Sequence, residues 1–442
     1  MRLKEIRTSR LFGLFDHRIP LRMDDRITII HGPNGFGKTV ILRMIAGILQ
    51  SRRVVIPNVP FESITILFDD GHELSVTKSA LPAPSKKKNR QRTTASVSIS
   101  NEKGESFDLS DMSNGRTHID LASRLEDFVP FVTRIGEDVW LDRSVGDQIT
   151  LEEVLDRYES QLPMRIKQSE YPDWFRLLQT QLNVHFIRAN RLERGTPIQT
   201  AQRGRKSGSA VDAFAADLAL QIQKMLADYA ELSQQLDRSF PQRLVSREAR
   251  GTLSMEEVRA RLAKLEQRRN ELTQAGLLDK DVHSYFAIPV GLDETKIDVL
   301  AVYIDDVEKK LAVFNTLFSK IDLFKRIVNK RFKYKSISIN KTQGFVLHTP
   351  DQRELDAESL SSGEQHEIVL LFQLLFRVTQ DSLILIDEPE LSLHIEWQQQ
   401  FLADLEQITT LAKFDVIIAT HSPQVISNRW DLTEELRAPQ DA

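Results

Sequence analysis

Four short motifs, hundreds of residues apart but in a fixed order, hold the side chains best suited to chemistry. The first is Gly32-Pro33-Asn34-Gly35-Phe36-Gly37-Lys38-Thr39, between the strand-like run Arg26–Ile30 and the apolar helical run Val40–Ala46. In a strand–loop–helix, glycines let backbone amides turn inward and the helix N-terminus adds positive potential. A lysine then reaches terminal phosphates, and a threonine hydroxyl can ligate Mg²⁺. Asn34, Gly35, Gly37, Lys38, Thr39 and Val40 are therefore candidates for cradling phosphates. The third in chain order, Leu383-Ile384-Leu385-Ile386-Asp387-Glu388-Pro389, reads as a buried strand ending in two carboxylates. Such a strand delivers Asp387 to a metal and Glu388, one residue on, to an attacking water as general base. Leu360-Ser361-Ser362-Gly363-Glu364-Gln365 precedes an apolar helical run, His366 to Val378, and Ala419-Thr420-His421-Ser422 ends an apolar strand. A helix N-terminus with a small hydroxyl donor suits an anion.

In this order the motifs resemble those of the ABC-type ATPases, in their SMC-like and OLD-like branch. The family signature is Leu-Ser-Gly-Gly-Gln, and Ser362 stands here at its third position. The resemblance covers residues 1–110 and 335–430 and implies ATP and Mg²⁺ as ligands. It gives Ser361 and Gly363 contact with the γ-phosphate held by an opposite subunit, and makes His421 the switch histidine that touches that phosphate. The implied assembly is a homodimer of ATP-sandwiched heads, or a higher even oligomer. Lys38, Thr39, Asp387, Glu388 and His421 would come from one subunit, Ser361 and Gly363 from the other. Ser392, in Leu391-Ser392-Leu393-His394, sits where the family's D-loop crosses the interface. The family's Q-loop glutamine is absent. Its place holds Arg188-Ala189-Asn190-Arg191, with Asn190 a candidate for the metal-sensing amide and Arg191 for a phosphate contact.

Positioning these groups requires an α/β head interrupted by a helical insertion. Residues 1–200 are expected to form its first part, with strand-like Leu11–Phe15 and a β-meander from Ser63 to Ile99. From about 120 to 180 the pattern is mixed and mostly helical, and Val184–Ile187 then reads as a short buried strand. Residues 208–334 change period. Phe214, Leu218, Ile222, Met225, Tyr229, Leu232 and Leu236 mark one helix, and Ser254 opens a second with a capping box. A third, from Ile297, is expected to run unbroken through Ile321. A helix of about 30 residues reaches only about 45 Å, which favours a compact bundle over a coiled-coil arm. Residues 335–442 complete the head.

Composition excludes several functions. The chain has no cysteine, which removes disulfides and thiolate chemistry, and its net charge of −4 gives no global attraction to nucleic acid. Two basic loops, Pro82 to Arg92 and Gln202 to Ser209, read either as solvated tips or as contacts to a DNA or RNA backbone. A polar N-terminus and apolar runs far shorter than the roughly 20 residues of a membrane span predict a cytoplasmic protein without membrane contact.

Three functions fit these features. The first is an ATP-hydrolysing regulator in anti-phage defence that controls a separate effector nuclease. This is the reading implied by likeness to ATPases grouped with OLD nucleases, whose Toprim domain has no room after His421. The others are a DNA-repair or chromosome-maintenance ATPase that clamps DNA, and a nucleotide-gated scaffold with little turnover.

Overall fold

The computed structural model describes residues 1–50, 59–79, 96–108, 171–187, 209–246, 254–279 and 297–438, with isolated positions between 125 and 154. Asn190, Arg191 and the lysines and arginines of both basic loops lie outside the described residues. The fold is mixed α/β. It divides into two compact units, residues 1–200 with 378–442, and residues 201–377. Residues 335–377, which carry the Ser361–Gln365 motif, are thus grouped with the helices rather than with 378–442. No helix among the described residues is long and apolar enough to cross a membrane.

The first unit contains two main sheets. An antiparallel sheet of six strands runs in the order Phe15–Pro20, Leu3–Leu11, Ser63–Phe68, Glu73–Ser79, Ser96–Asn101, Ser106–Asp108. Ile64, Ile66 and Phe68 alternate inward with period two, as a half-buried strand requires. A five-stranded sheet is parallel throughout, in the order Val184–Ile187, Leu383–Asp387, Asp415–Ala419, Ile27–His31, Thr433–Glu435. Between the sheets lies the helix Lys38–Leu49, nine of whose twelve residues are buried. Its Ile41, Met44 and Ile45 share one core with Ile64 and Val76 of the meander and Leu385 and Ile417 of the parallel sheet. That two-sided burial fixes the helix, and with it the loop at its N-terminus.

Two expectations are corrected here. Leu11–Phe15 is a hairpin turn, not a strand: Phe12 and Gly13 adopt left-handed φ of 56° and 76°. The apolar run had masked the turn. In the 120–180 stretch the described residues include three short antiparallel strands, Val132–Arg134, Val139–Asp142 and Asp147–Thr150, and only then the helix Asp173–Gln181.

In the second unit, Ala210–Val245 is one helix opened by a Ser209–Asp212 capping box, and Met255–Gln274 opens on the Ser254–Glu257 box. The expected third helix is instead two, Ile297–Ala312 and Asn315–Arg331. Phe314 at the break is fully buried and packs against Tyr229, ring centroids 5.1 Å apart. Arg261 ties the second helix to the third through Asp305 (2.8 Å) and Glu308 (2.7 Å). These contacts make a bundle, not an extended arm.

A three-stranded sheet, Ser336–Asn340, Gly344–His348 and Glu354–Leu355, packs under the first helix of this bundle. Gly344 has φ +80°, and a Cβ there would fall inside van der Waals contact of the Ala215 carbonyl. Gly344→Ala is therefore expected to destabilise the protein by about 1–3 kcal/mol, the usual range for overpacking. Urea denaturation checks this as a lower midpoint at constant slope.

Candidate phosphate and metal site

The parallel sheet brings three of the four motifs to one edge. The Asp415–Ala419 strand lies between the Ile27–His31 and Leu383–Asp387 strands, with Ala419 in register with both Ile30 and Asp387. The loop from Gly32, the acids at 387–388 and the Thr420–His421 segment therefore leave neighbouring strands at the same end, where ligands bind in open α/β sheets.

The loop itself is built from backbone conformation. Gly35 and Gly37 adopt φ of 90° and 92°, the αL region where only glycine is unstrained. At Gly37 an added Cβ would also come within 2.5 Å of the buried Leu11 side chain. Behind the loop, His17 donates from Nε2 to the Phe36 carbonyl (3.1 Å), and Phe15 packs on the Phe36 ring at 5.0 Å. Burial pushes the His17 imidazole below its ordinary pKa, which favours the neutral ring. Neither His17 nor Phe15 is marked by the loop motif. Their role follows only from the hairpin folding back onto the loop.

Lys38 is buried, and its Nζ donates to the Gly32 (2.6 Å) and Pro33 (3.1 Å) carbonyls. Burial lowers its pKa while Glu388, Glu390 and Asp387 pull it back up. Thr39 Oγ1 donates to Asp387 Oδ1 at 2.9 Å, a contact between residues 348 positions apart. A hydroxyl and a carboxylate so placed are two hard oxygen donors, the kind Mg²⁺ takes from a protein while keeping water and phosphate in its other positions. The residues present therefore fit that ion.

Burial raises the pKa of Asp387, the Thr39 hydrogen bond opposes that, and neighbouring Glu388 adds to it. With a folded-state pKa above the unfolded one, the stabilising contribution is complete below the ordinary carboxylate range. It is lost as pH rises through the folded value. Ionised Asp387 thus opposes folding at neutral pH. Asp387→Asn should raise the melting temperature of the nucleotide-free protein there, with the difference vanishing below about pH 4. Thermal melts across pH check it.

Glu388 closes the strand in a left-handed conformation (φ 43°, ψ 60°), its N–H bonded to the Ala419 carbonyl at 2.8 Å. A non-glycine residue held there is strained, a cost found most often at functional sites. The kink starts the short helix Pro389–Ser392 and turns the Glu390 carboxylate back under the neighbouring strand end. Glu390 Oε1 accepts from Thr420 Oγ1 (2.7 Å) and from the His421 N–H (3.0 Å), and lies 3.1 Å from His421 Nδ1. Glu388 Oε1 is farther from that nitrogen, at 3.8 Å. Gln398 braces the turn by donating to the Glu390 and Leu393 carbonyls, and accepts from Ser422 Oγ.

Ser361 and Gly363 belong to the second unit. Ser361 is the N-cap of helix Ser362–Phe372, and its Oγ accepts from the Glu364 N–H while Glu364 Oε2 accepts from the Ser361 N–H at 2.7 Å. Burial works to raise the pKa of Glu364, but Lys335 at 2.8 Å and Ser361 outweigh it, holding the carboxyl below its ordinary value. Gln365 donates to the Ala357 and Leu360 carbonyls and so ties the chain before the helix to its first turn. The N–H groups of Ser362 and Gly363 precede that of Gln365, which makes the first intrahelical bond, to the Ser361 carbonyl at 3.0 Å.

A phosphate loop after one parallel strand, acids at the end of a second and a histidine just past the strand between them define the P-loop α/β class. Within it, the chain belongs to the family described as "AAA domain, putative AbiEii toxin, Type IV TA system", whose model matches residues 27–427. No curated protein is significantly similar to the chain. Among solved structures, it is similar to an SMC head domain of Pyrococcus furiosus bound to the C-terminal domain of ScpA. Identity there is 14% over 99% of this chain and 94% of that one, with a TM-score of 0.35. An SMC head domain from Thermotoga maritima is 12% identical over 97% and 93%, with a TM-score of 0.32. Scores this low assign nothing further.

Proposed function

We propose that the chain binds and hydrolyses ATP with Mg²⁺, and that two heads close on shared nucleotide to regulate a separate effector. The observation that carries this reading is the Thr39–Asp387 contact at 2.9 Å, with Lys38 and Glu388 on the same sheet edge. Lys38 would exchange its two loop carbonyls for phosphate oxygens, and Gly35 and Gly37 would turn backbone amides toward them. Thr39 and Asp387 would hold Mg²⁺, which when bound neutralises phosphate charge. Glu388 orients and deprotonates the attacking water, and His421 contacts the terminal phosphate.

Dimerisation is supported by the exposed apolar Leu391 and Ile395, 64% and 60% accessible, which bracket the segment expected to cross the interface. The capped helix at Ser361 and Gly363 suits an anion supplied by the other head. The family's description as a putative toxin of a type IV TA system supports action within a multi-component system, in line with a defence regulator. The test is Lys38→Ala, which removes the ammonium while leaving the sheet intact. Binding of ATP measured by calorimetry should fall at least 100-fold, and wild-type affinity in the variant would exclude this site.

A further inference from the structure

Glu390 carries none of the roles assigned above, yet it is among the few charged side chains more than nine-tenths buried among the described residues of the first unit. Both hydrogen bonds of its Oε1 go to residues 420 and 421, and His421 Nδ1 lies within reach of the same oxygen. Oε2 is buried and has no hydrogen-bond partner among the described residues. The carboxylate is thus spent on one segment, the turn that presents His421.

We propose that Glu390 is a positioning residue that fixes the rotamer and tautomer of His421. This deepens the proposed function and rests on it for the histidine's contact with phosphate. A carboxylate has no proton to give, so the approach of Nδ1 to within 3.1 Å of it favours the tautomer that carries hydrogen on that nitrogen. Nε2, on the far side of the ring, is left as the atom that meets substrate. The backbone N–H of His421 and the Thr420 hydroxyl anchor the same oxygen, so the ring is held relative to its own main chain and not by side-chain contact alone. An outer partner of this kind is worth about 10- to 100-fold in sites where it has been removed, because it sets ring orientation.

The arrangement depends on the left-handed Glu388. An extended conformation there would carry Glu390 onward along the strand direction instead of back beneath residue 420.

The test is ¹⁵N NMR of the ring nitrogens in full-length, histidine-labelled protein without nucleotide, at alkaline pH, with His421 assigned by His421→Gln. Wild type should show Nδ1 protonated. Glu390→Ala should shift the ring toward the Nε2–H tautomer and lower kcat for ATP about 10- to 100-fold with KM changed far less. Glu390→Gln, whose amide oxygen still accepts from Nδ1–H, should restore the wild-type tautomer. A bare Nδ1 in wild type would overturn the assignment, whether or not any variant folds. So would an unchanged tautomer in Glu390→Ala. Absence of ATP turnover in wild type would sink the proposed function, while the tautomer measurement would still decide the role of Glu390.

Discussion

Glu388→Gln is expected to lower ATP turnover by about 10²- to 10⁴-fold, the contribution typical of a positioned general base. Binding should survive, because the proposed function gives the phosphate and metal contacts to Lys38, Thr39, Asp387 and the loop amides. The glutamine is isosteric, so the kinked backbone and its bond to Ala419 are retained. With hydrolysis blocked and binding intact, the closed pair of heads should accumulate. Size exclusion with ATP and Mg²⁺ should then show a dimer for Glu388→Gln at concentrations where wild type is monomeric. A monomer under those conditions counts against the sandwich. Turnover equal to wild type would mean that Glu388 is not the base. A variant that supports full biological function without hydrolysis would favour a scaffold.

Arg331→Met is expected to destabilise the second unit by about 3–5 kcal/mol, through an unrelated mechanism. Arg331 ends the helix Asn315–Arg331 and pairs with Glu367 in the middle of the Ser361-capped helix, with side chains 2% and 1% exposed. Removing the guanidinium leaves a carboxylate buried without its counter-charge, and that penalty exceeds what the pair itself contributes. Replacing both partners, Arg331→Met with Glu367→Leu, removes the stranded charge and should recover most of the loss. Chemical denaturation of the single and double variants separates the two cases. Equal destabilisation in both would show that packing rather than charge is at stake. Because Glu367 sits on the helix whose first turn carries Ser361 and Gly363, the single variant should also weaken any ATP-driven dimerisation.

The two predictions differ in how readable they were beforehand. Glu388 stands at the end of an unbroken apolar run next to another acid, a local pattern with few other meanings. Arg331 and Glu367 lie in ordinary helical sequence, and nothing near either one marks it as buried or names its partner. The same divide runs through the site. The phosphate loop was legible because its glycines answer to backbone dihedral needs satisfied within eight residues. The capping box at Ser254 was legible for a similar reason, since both hydrogen bonds close within one turn. The hairpin at Leu11–Phe15 and the helix break at Phe314 were not, because apolar residues there serve the core whatever the local chain does.

By itself, the sequence determined which segments would be strand–loop–helix, buried strand and capped helix, since those depend on propensity, periodicity and short-range hydrogen bonds. Only the tertiary structure decided which ends would meet. Placing the Asp415–Ala419 strand between the other two joins Thr39 to Asp387 across 348 residues. It also brings His421 onto Glu390, while the hairpin of the antiparallel sheet folds His17 against the Phe36 carbonyl. Strand order and register are properties of long-range pairing and shared burial, so no local spacing of residues encodes them.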